Sequence, residues 1–347
     1  MTSRERLLMA MQGGEPDRTP VAPFGFGRVD PDSDIGRELV ARTDIIVEAP
    51  CGPWDILGTQ ATPSVDERGD ETVITYHTPR GPLVRRDRRT ARTHATVEHP
   101  LKTPEDVERF LSVPYVPHPV EASGYFQWQK RIGEEGLVMT GLPNAVCIPA
   151  SWFSPEDFCL MWADRPDLIR TLCETASERI LERAEDLCRA GVRAFRIIGG
   201  EYVTVQLGPS AFDELVARFD VPLVETIHRY GGIAYYHNHG PVMRFLPRLA
   251  ALGIDALDPL EAPPWGDVDL REARRLAGER LCFVGNLDDM EVLESLPLEE
   301  SLAIARERLD AGGRKAFILG GTASGTYGET AARAFIAMAE MADSLAC

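Results

Sequence analysis

The chain has 347 residues, of which 44% are hydrophobic and 26% are charged, as in ordinary globular enzymes with one large or two smaller domains. A formal net charge of −17 argues against nucleic acid or an anionic membrane surface as a partner. The first twelve residues have no signal-peptide core, no apolar run reaches transmembrane length, and the seven scattered cysteines form no CxxC pair. These features favour a cytoplasmic protein with reduced thiols.

The first hundred residues predict short β segments joined by turns. A short helix is predicted over residues 2–11, a strand over 43–48, and three further β segments between residues 72 and 97. Phe24, Phe26 and Arg28 lie in a Gly-rich aromatic loop with the sequence FGFGR. We interpret residues 1–100 as a β-rich N-terminal elaboration of a single domain that spans residues 1–347.

Strands and helices alternate from about residue 101 onwards. Buried strands are predicted at 137–141, 194–201, 233–239, 254–257, 281–285 and 315–320, and an amphipathic helix at 330–345 closes the chain. This alternation predicts parallel βαβ units. The expected fold is α/β, a closed (β/α)8 TIM barrel. An open doubly wound sheet is the second choice, because no GxGxxG motif follows an early strand.

The strand at residues 233–237 runs into His237-Asn238-His239-Gly240. Side chains alternate along a strand, so His237 and His239 are expected to project together from its carboxyl end. Two imidazoles there suit a metal, a proton-transfer pair or an anion site. The alternative is that both residues simply finish the strand and bond to loop backbone.

Other polar residues follow the neighbouring strands, and active sites of TIM barrels lie at the carboxyl ends of the strands. Glu201, His237 and His239 form a reasonable ligand set for zinc, although Glu201 could instead accept backbone N–H bonds. Glu261 and Asn286 are predicted to bind substrate or to orient a histidine, whereas a loop-capping role is preferred for Asp258. An apolar pocket is predicted from the aromatic residues Phe24, Phe26, Trp152, Phe153, Tyr202 and Trp265.

The chain resembles the uroporphyrinogen decarboxylase superfamily nearly from end to end. The motifs that carry the resemblance are, in order, Arg4–Arg6 with Pro16–Pro20, Ser154–Phe158, Gly200-Glu201, His237–Gly240, Asp258–Glu261 and Val284–Asp288. The resemblance implies a TIM barrel. True decarboxylases carry an Arg-Gln-Ala-Gly-Arg motif where this chain has residues 24–28, which disfavours a porphyrinogen substrate.

Cobamide-dependent methyltransferases of this superfamily hold zinc through His-x-Cys and a distant Cys. Here His239 replaces the first cysteine, and the segment 320–325 contains no cysteine for the second. Aromatic O-demethylating methyltransferases instead use a Glu-x14-Glu-x20-His zinc pattern. Glu201 and His237 have the outer spacing of that pattern, with Val216 in the middle position.

The resemblance thus implies methyl transfer from a small methoxylated, chiefly aromatic, or methylated substrate to a corrinoid protein. Zinc held by Glu201, His237 and His239, or a histidine acid, would polarise the leaving atom. The alternatives are a metal-independent decarboxylase or lyase that uses the two histidines as proton donors, and a non-catalytic binding barrel. Phe24, Phe26, Arg28, Trp152, Tyr202, Glu261 and Asn286 are the predicted substrate contacts, and a homodimer is left open.

Overall fold

The structure is a computed structural model that describes residues 1–90, 93–322 and 326–346. Its strands are numbered in chain order, and eight of them are parallel and form one sheet in the order β1-β12-β11-β10-β9-β8-β7-β2. These eight are β1 (Val21–Ala22), β2 (Ile45–Glu48), β7 (Gly136–Pro143), β8 (Ala194–Ile198), β9 (Ile233–His237), β10 (Ala256–Asp258), β11 (Cys282–Asn286) and β12 (Phe317–Gly320).

Backbone hydrogen bonds between the β1 segment and β2 close this sheet. The Asp44 N–H donates to the Val21 carbonyl at 2.8 Å, the Ile46 N–H to the Pro23 carbonyl at 3.1 Å, and the Gly25 N–H to the Ile46 carbonyl at 2.7 Å. The predicted (β/α)8 barrel is therefore confirmed. Two of its strands come from the first hundred residues.

Helices surround the barrel, and none within the described ranges is long and apolar enough to cross a membrane. In chain order they are α1 (Ser3–Met11), α2 (Asp34–Arg42), α3 (Pro104–Leu111), α4 (Ser123–Ile132), α5 (Cys147–Trp152), α6 (Pro155–Asp164), α7 (Pro166–Arg189), α8 (Glu201–Thr204), α9 (Pro209–Phe212), α10 (Arg218–Arg229), α11 (Leu246–Ala251), α12 (Leu270–Ala277), α13 (Leu298–Gly312) and α14 (Glu329–Ala346). Side-chain caps at Thr2, Thr103 and Ser154 satisfy free N–H groups where α1, α3 and α6 begin.

Helix α1 covers the end of the barrel at which the strands begin. Its apolar side chains, Leu7 and Met11 among them, pack into the same buried cluster as the inward-facing strand residues. The fully buried Asp44 accepts hydrogen bonds from Arg6 and Arg18, each at 2.6 Å. The arginines of the N-terminal motifs therefore help to hold α1 against this end of the barrel.

The remaining strands form a separate antiparallel sheet in the order β3-β4-β5-β6. They are β3 (Ser64–Arg68), β4 (Glu71–Thr78), β5 (Gly81–Arg89) and β6 (His94–Glu98). The last three lie close to the three β segments predicted there, whereas β3 was not predicted. Tyr76 of this sheet and Phe110 of α3 both pack against the Trp152 ring, with centroids 4.9 Å apart in each case. Of the segment 320–325 considered above, residues 323–325 lie outside the described ranges.

Candidate functional site

His237 ends β9, and a buried carboxylate on the next strand holds its imidazole. Its Nδ1 atom lies 3.0 Å from each oxygen of Asp258, the residue paired with it at the end of β10. Asp258 is fully buried and also accepts a hydrogen bond from the Tyr235 hydroxyl. Since an ionised carboxylate only accepts, the His237 proton lies on Nδ1 and Nε2 is left for another partner. The loop-capping role preferred for Asp258 was wrong.

His239 has the same kind of partner. Its Nδ1 lies 2.9 Å from Oε1 of Glu261, while Oε2 of Glu261 accepts the Gly240 N–H at 2.7 Å. The hydrogen bond with Glu261 raises the pKa of His239 above its ordinary value. Burial acts to raise the pKa of Glu261, but the bonds from His239 and Gly240 outweigh it and lower that pKa. Each side chain of this pair therefore favours the charged form of the other.

The two imidazoles lie together at the barrel mouth, as the alternation of side chains predicts. Their ring centroids are 4.4 Å apart and the rings are nearly perpendicular. His237 is buried, whereas 42% of the His239 side chain is exposed. Both rings are held through Nδ1, so both Nε2 atoms remain for a substrate or a ligand.

Glu201 begins α8, beyond the end of β8 at Ile198, and not within the strand as the sequence suggested. Its Oε2 is buried and has no partner among the residues described. Burial raises the pKa of both Cys147 and Tyr202 to about 12, and the Glu201 charge contributes to both shifts. The same charge adds to the shift of His239, which places Glu201 within electrostatic reach of the histidine pair.

Asn238 connects the strand end to the helix that carries Glu201. Its side chain is buried and donates from Nδ2 to Oγ1 of Thr204 at 2.9 Å. A Cβ atom at Gly200 would lie 2.2 Å from Oδ1 of Asn238. The glycine before Glu201 is therefore required for this close approach, and it lets α8 start beside β9.

Arg196 is a candidate site residue that the sequence reasoning missed. It lies on β8 and is 92% buried, since 8% of its surface is exposed. Its Nη1 donates to Glu48 at 3.1 Å, its guanidinium carbon lies 4.6 Å from the centre of the Phe24 ring, and its Nε has no described partner. A buried cation with a spare donor, next to partly buried Phe24, offers a place for an electron-rich substrate group.

A second missed feature is a buried network behind β9. Asp220 of α10 accepts hydrogen bonds from the Tyr236 hydroxyl at 2.6 Å and from Nδ2 of Asn144 at 3.0 Å. Burial raises the pKa of Asp220 to about 7, against the effect of these two bonds. Oδ1 of Asn144 accepts the Cys147 N–H, so the network joins α5, β9 and α10 beneath the mouth.

Four other predicted substrate contacts, Phe26, Arg28, Trp152 and Tyr202, have neighbours other than the two histidines. Phe26 is buried and packs against Trp128, with centroids 5.8 Å apart, and Trp152 packs against Tyr76 and Phe110. Arg28 is 60% exposed and pairs with Glu294. Tyr202 follows Glu201 on α8, the short helix that begins beyond β8.

The donors at the mouth are of the types that zinc accepts, and their outer partners are suitable. Ligating histidines usually donate their second ring N–H to a carboxylate, as His237 and His239 do here. In the described parts of the chain, however, no group of three or more His, Cys, Asp and Glu side chains is close enough to hold a metal. The mouth thus offers two ring nitrogens, and Glu201 is the nearby carboxylate with an oxygen that has no partner among the described residues.

Comparison with solved structures shows the same architecture elsewhere. A methyltransferase from Methanosarcina mazei is 14% identical, with a TM-score of 0.66, and the match covers 98% of this chain and 99% of that chain. A B12-independent methionine synthase from Shewanella sp. W3-18-1 is also 14% identical, with a TM-score of 0.45 over 66% of this chain and 69% of that one. The likeness to the Methanosarcina mazei protein shows the fold alone.

Among curated proteins, none matches this chain. The family model of uroporphyrinogen decarboxylase (URO-D) matches residues 92–345, which includes both histidines, their carboxylate partners and Glu201. That span is well over half of the chain, and the resemblance in its motifs runs through the same residues. The chain therefore belongs to the uroporphyrinogen decarboxylase family.

Proposed function

We propose that the protein is a methyltransferase that moves a methyl group from a small methoxylated, chiefly aromatic, or methylated substrate to a corrinoid protein. The observation that supports this proposal most is the pair of carboxylate-bound imidazoles at one barrel mouth. Methyl ethers react slowly because an alkoxide or phenoxide leaves poorly without a proton or another electrophile. The histidine pair can supply that electrophile.

In the proposed step, His239 is the proton donor. Glu261 favours its protonated form, and its exposed ring can reach a substrate oxygen. As the bond between methyl carbon and oxygen breaks, the electron pair stays on oxygen and the Nε2 proton of His239 moves to it. The methyl carbon forms its new bond with the reduced corrinoid of the partner protein, and the products are a phenol or alcohol and the methylated carrier.

His237 orients the leaving group, since Asp258 fixes the ring with Nε2 free. Phe24 and Arg196 offer an apolar face and a positive charge for an aromatic ring and its electron-rich substituents. Zinc is the alternative electrophile in the proposal: Nε2 of His237, Nε2 of His239 and the Glu201 carboxylate would hold it, and His239 would then have no Nε2 proton to donate. When bound, zinc would supply Lewis acidity to the same leaving atom.

The test combines a panel of methoxyarenes with a Co(I) corrinoid carrier, after the zinc content of the purified protein is measured. We expect demethylation of at least one substrate and a loss of most activity in His239→Gln. His228→Gln is the matched control, because His228 is also bound to a carboxylate, Asp255 at 2.8 Å, but lies at the end of α10. Folded protein that demethylates nothing on the panel would refute the proposal.

A metal-independent decarboxylase is the second candidate, favoured by the URO-D family model and by a histidine that holds a proton beside Glu261. Here His239 would protonate the carbon from which carbon dioxide leaves. Incubation of chelator-treated protein with small aromatic and pyrrolic carboxylates, with detection of carbon dioxide, separates the two functions. Full activity without metal or corrinoid would establish the second candidate and exclude the first.

A further inference from the structure

A cavity that neither histidine lines is connected to the histidine pair through Glu261, which lines the cavity and binds His239. It has a volume of about 110 Å³ and lies between the loop after β10, the end of β11 and one face of α13. Its polar lining includes Glu261, Asn286, Asp288, Glu291, Arg308 and Thr322. This is room for a group of several heavy atoms and more than a single water molecule needs.

Two polar atoms in this lining have no partner. Asn286 is 95% buried, since 5% of its surface is exposed; its Nδ2 donates to the Leu260 carbonyl at 2.6 Å, but its Oδ1 is unpartnered. The Nε of Arg308 is also buried without a partner within the described residues. A buried acceptor and a buried donor thus both lack a hydrogen bond, which costs stability unless something binds them.

The carboxylates around the cavity are largely committed. Glu261 binds His239 and the Gly240 N–H, and Asp288 accepts the Met290 and Glu291 N–H groups at the start of the next helical turn. Three carboxylates face one guanidinium, so the field disfavours an anion. The carboxylates would attract a cation, but a cation cannot accept a hydrogen bond and would leave the Arg308 donor unsatisfied. The complementary group is neutral, and it both donates and accepts a hydrogen bond.

We propose that this cavity, with Arg308 and Asn286 as its polar ends, binds a carboxamide or hydroxyl arm of the substrate. The arm would accept from Nε of Arg308 and donate to Oδ1 of Asn286. Trp265, which is 59% exposed and lines the same cavity, would cover the apolar part of the ligand. The inference rests on the proposed function only in assigning this arm to the substrate, because binding itself requires neither turnover nor corrinoid.

Binding can be measured from the indole N–H resonance of Trp265 in a ¹H–¹⁵N spectrum, assigned with Trp265→Phe. The probes are benzamide, benzyl alcohol, benzoate and benzylammonium. We expect a neutral probe to shift the resonance at the lowest concentration, benzamide if the arm is a carboxamide and benzyl alcohol if it is a hydroxyl. Arg308→Met should weaken that binding roughly tenfold or more, as the loss of a charged hydrogen bond does.

Arg306→Met is the matched control, because Arg306 lies on the same helix two residues away and is exposed. It should bind the neutral probe like the unaltered protein. Arg308→Lys keeps the charge but not the guanidinium fork, so it should also weaken binding of the neutral probe. It provides the test if Arg308→Met does not fold. Tighter binding of benzoate or benzylammonium, no shift with any probe, or equal affinities in the unaltered and Arg308 proteins would each overturn the inference. Binding without demethylation would leave the cavity assignment intact and count against the proposed function alone.

Discussion

Replacing Asp258 with asparagine removes one negative charge and leaves the size of the side chain unchanged. Asp258 accepts from Nδ1 of His237 through both oxygens and from the Tyr235 hydroxyl, at a position with no exposed surface. An amide has one oxygen and one NH₂ group, so it cannot offer His237 two acceptor oxygens as the carboxylate does. If NH₂ faces His237, the imidazole proton moves to Nε2, and the atom that orients the leaving group is blocked.

The size of the effect follows from the bond that is lost. A hydrogen bond to a charged group contributes about 1.5–3 kcal/mol. Each 1.4 kcal/mol changes a rate tenfold, so kcat should fall roughly ten- to a hundredfold in Asp258→Asn. Asp258 is a positioning residue that does not contact the substrate in this proposal. KM should therefore change much less than kcat.

The assay is steady-state demethylation over a range of pH, together with ¹⁵N resonances of the His237 ring, which report its tautomer. Asp255→Asn is the control, because Asp255 also binds a histidine, His228, and a backbone N–H at the start of β9. That variant should lose stability without a change in the His237 tautomer. An unchanged kcat in Asp258→Asn, or an equal loss in both variants, would refute the reasoning.

Four further predictions concern the same residues. His237→Ala should abolish turnover and, because it leaves buried Asp258 with one partner fewer, lower the melting temperature without preventing folding. Activity that needs protonated His239 should be lost as pH rises through its raised pKa, and Glu261→Gln should move that limb of the pH–rate profile to lower pH. If zinc is bound, His239→Cys should retain it, as measured by zinc stoichiometry, because zinc accepts sulfur as well as nitrogen. Burial raises the pKa of Asp220 to about 7 in the folded chain, above the ordinary value of 3.8 for an aspartate. The folded state therefore holds a proton that the unfolded state has lost, so stability should fall by about 1.4 kcal/mol per pH unit between about pH 4 and 7; Asp220→Asn should remove this slope in urea unfolding.

The barrel was predictable because its strands are apolar runs separated by helical periodicity, a pattern that requires no knowledge of tertiary contacts. The residues at which the strands end were harder to predict from the sequence. The sequence suggested that β8 continues to Glu201, but it ends at Ile198. Gly199 has a φ of +129°, and a Cβ atom there would lie 2.3 Å from Oδ1 of Asn144. That contact comes from another strand's loop, so residues 199–201 alone could not indicate the break.

The histidine pair could be predicted from alternation within one strand, but its carboxylate partners depend on register between strands. Asp258 is 21 residues from His237 and pairs with it only because β9 and β10 align their last residues. Nothing local to Asp258 distinguishes that role from a loop cap.

Unlike the partners of the histidines, Arg196 could have been identified as a candidate site residue from the sequence alone. It is the one charged residue in the run Ala194–Ile198, whose apolar neighbours already predicted burial. A strand that is buried on both faces can hold a guanidinium only if something inside the barrel compensates its charge. Glu48 supplies one such contact and leaves Nε unpartnered, so the cost of burying Arg196 is only partly offset within the described chain. That imbalance, at the mouth where Phe24 and the histidines lie, is the physical reason to expect an electron-rich group of the substrate there.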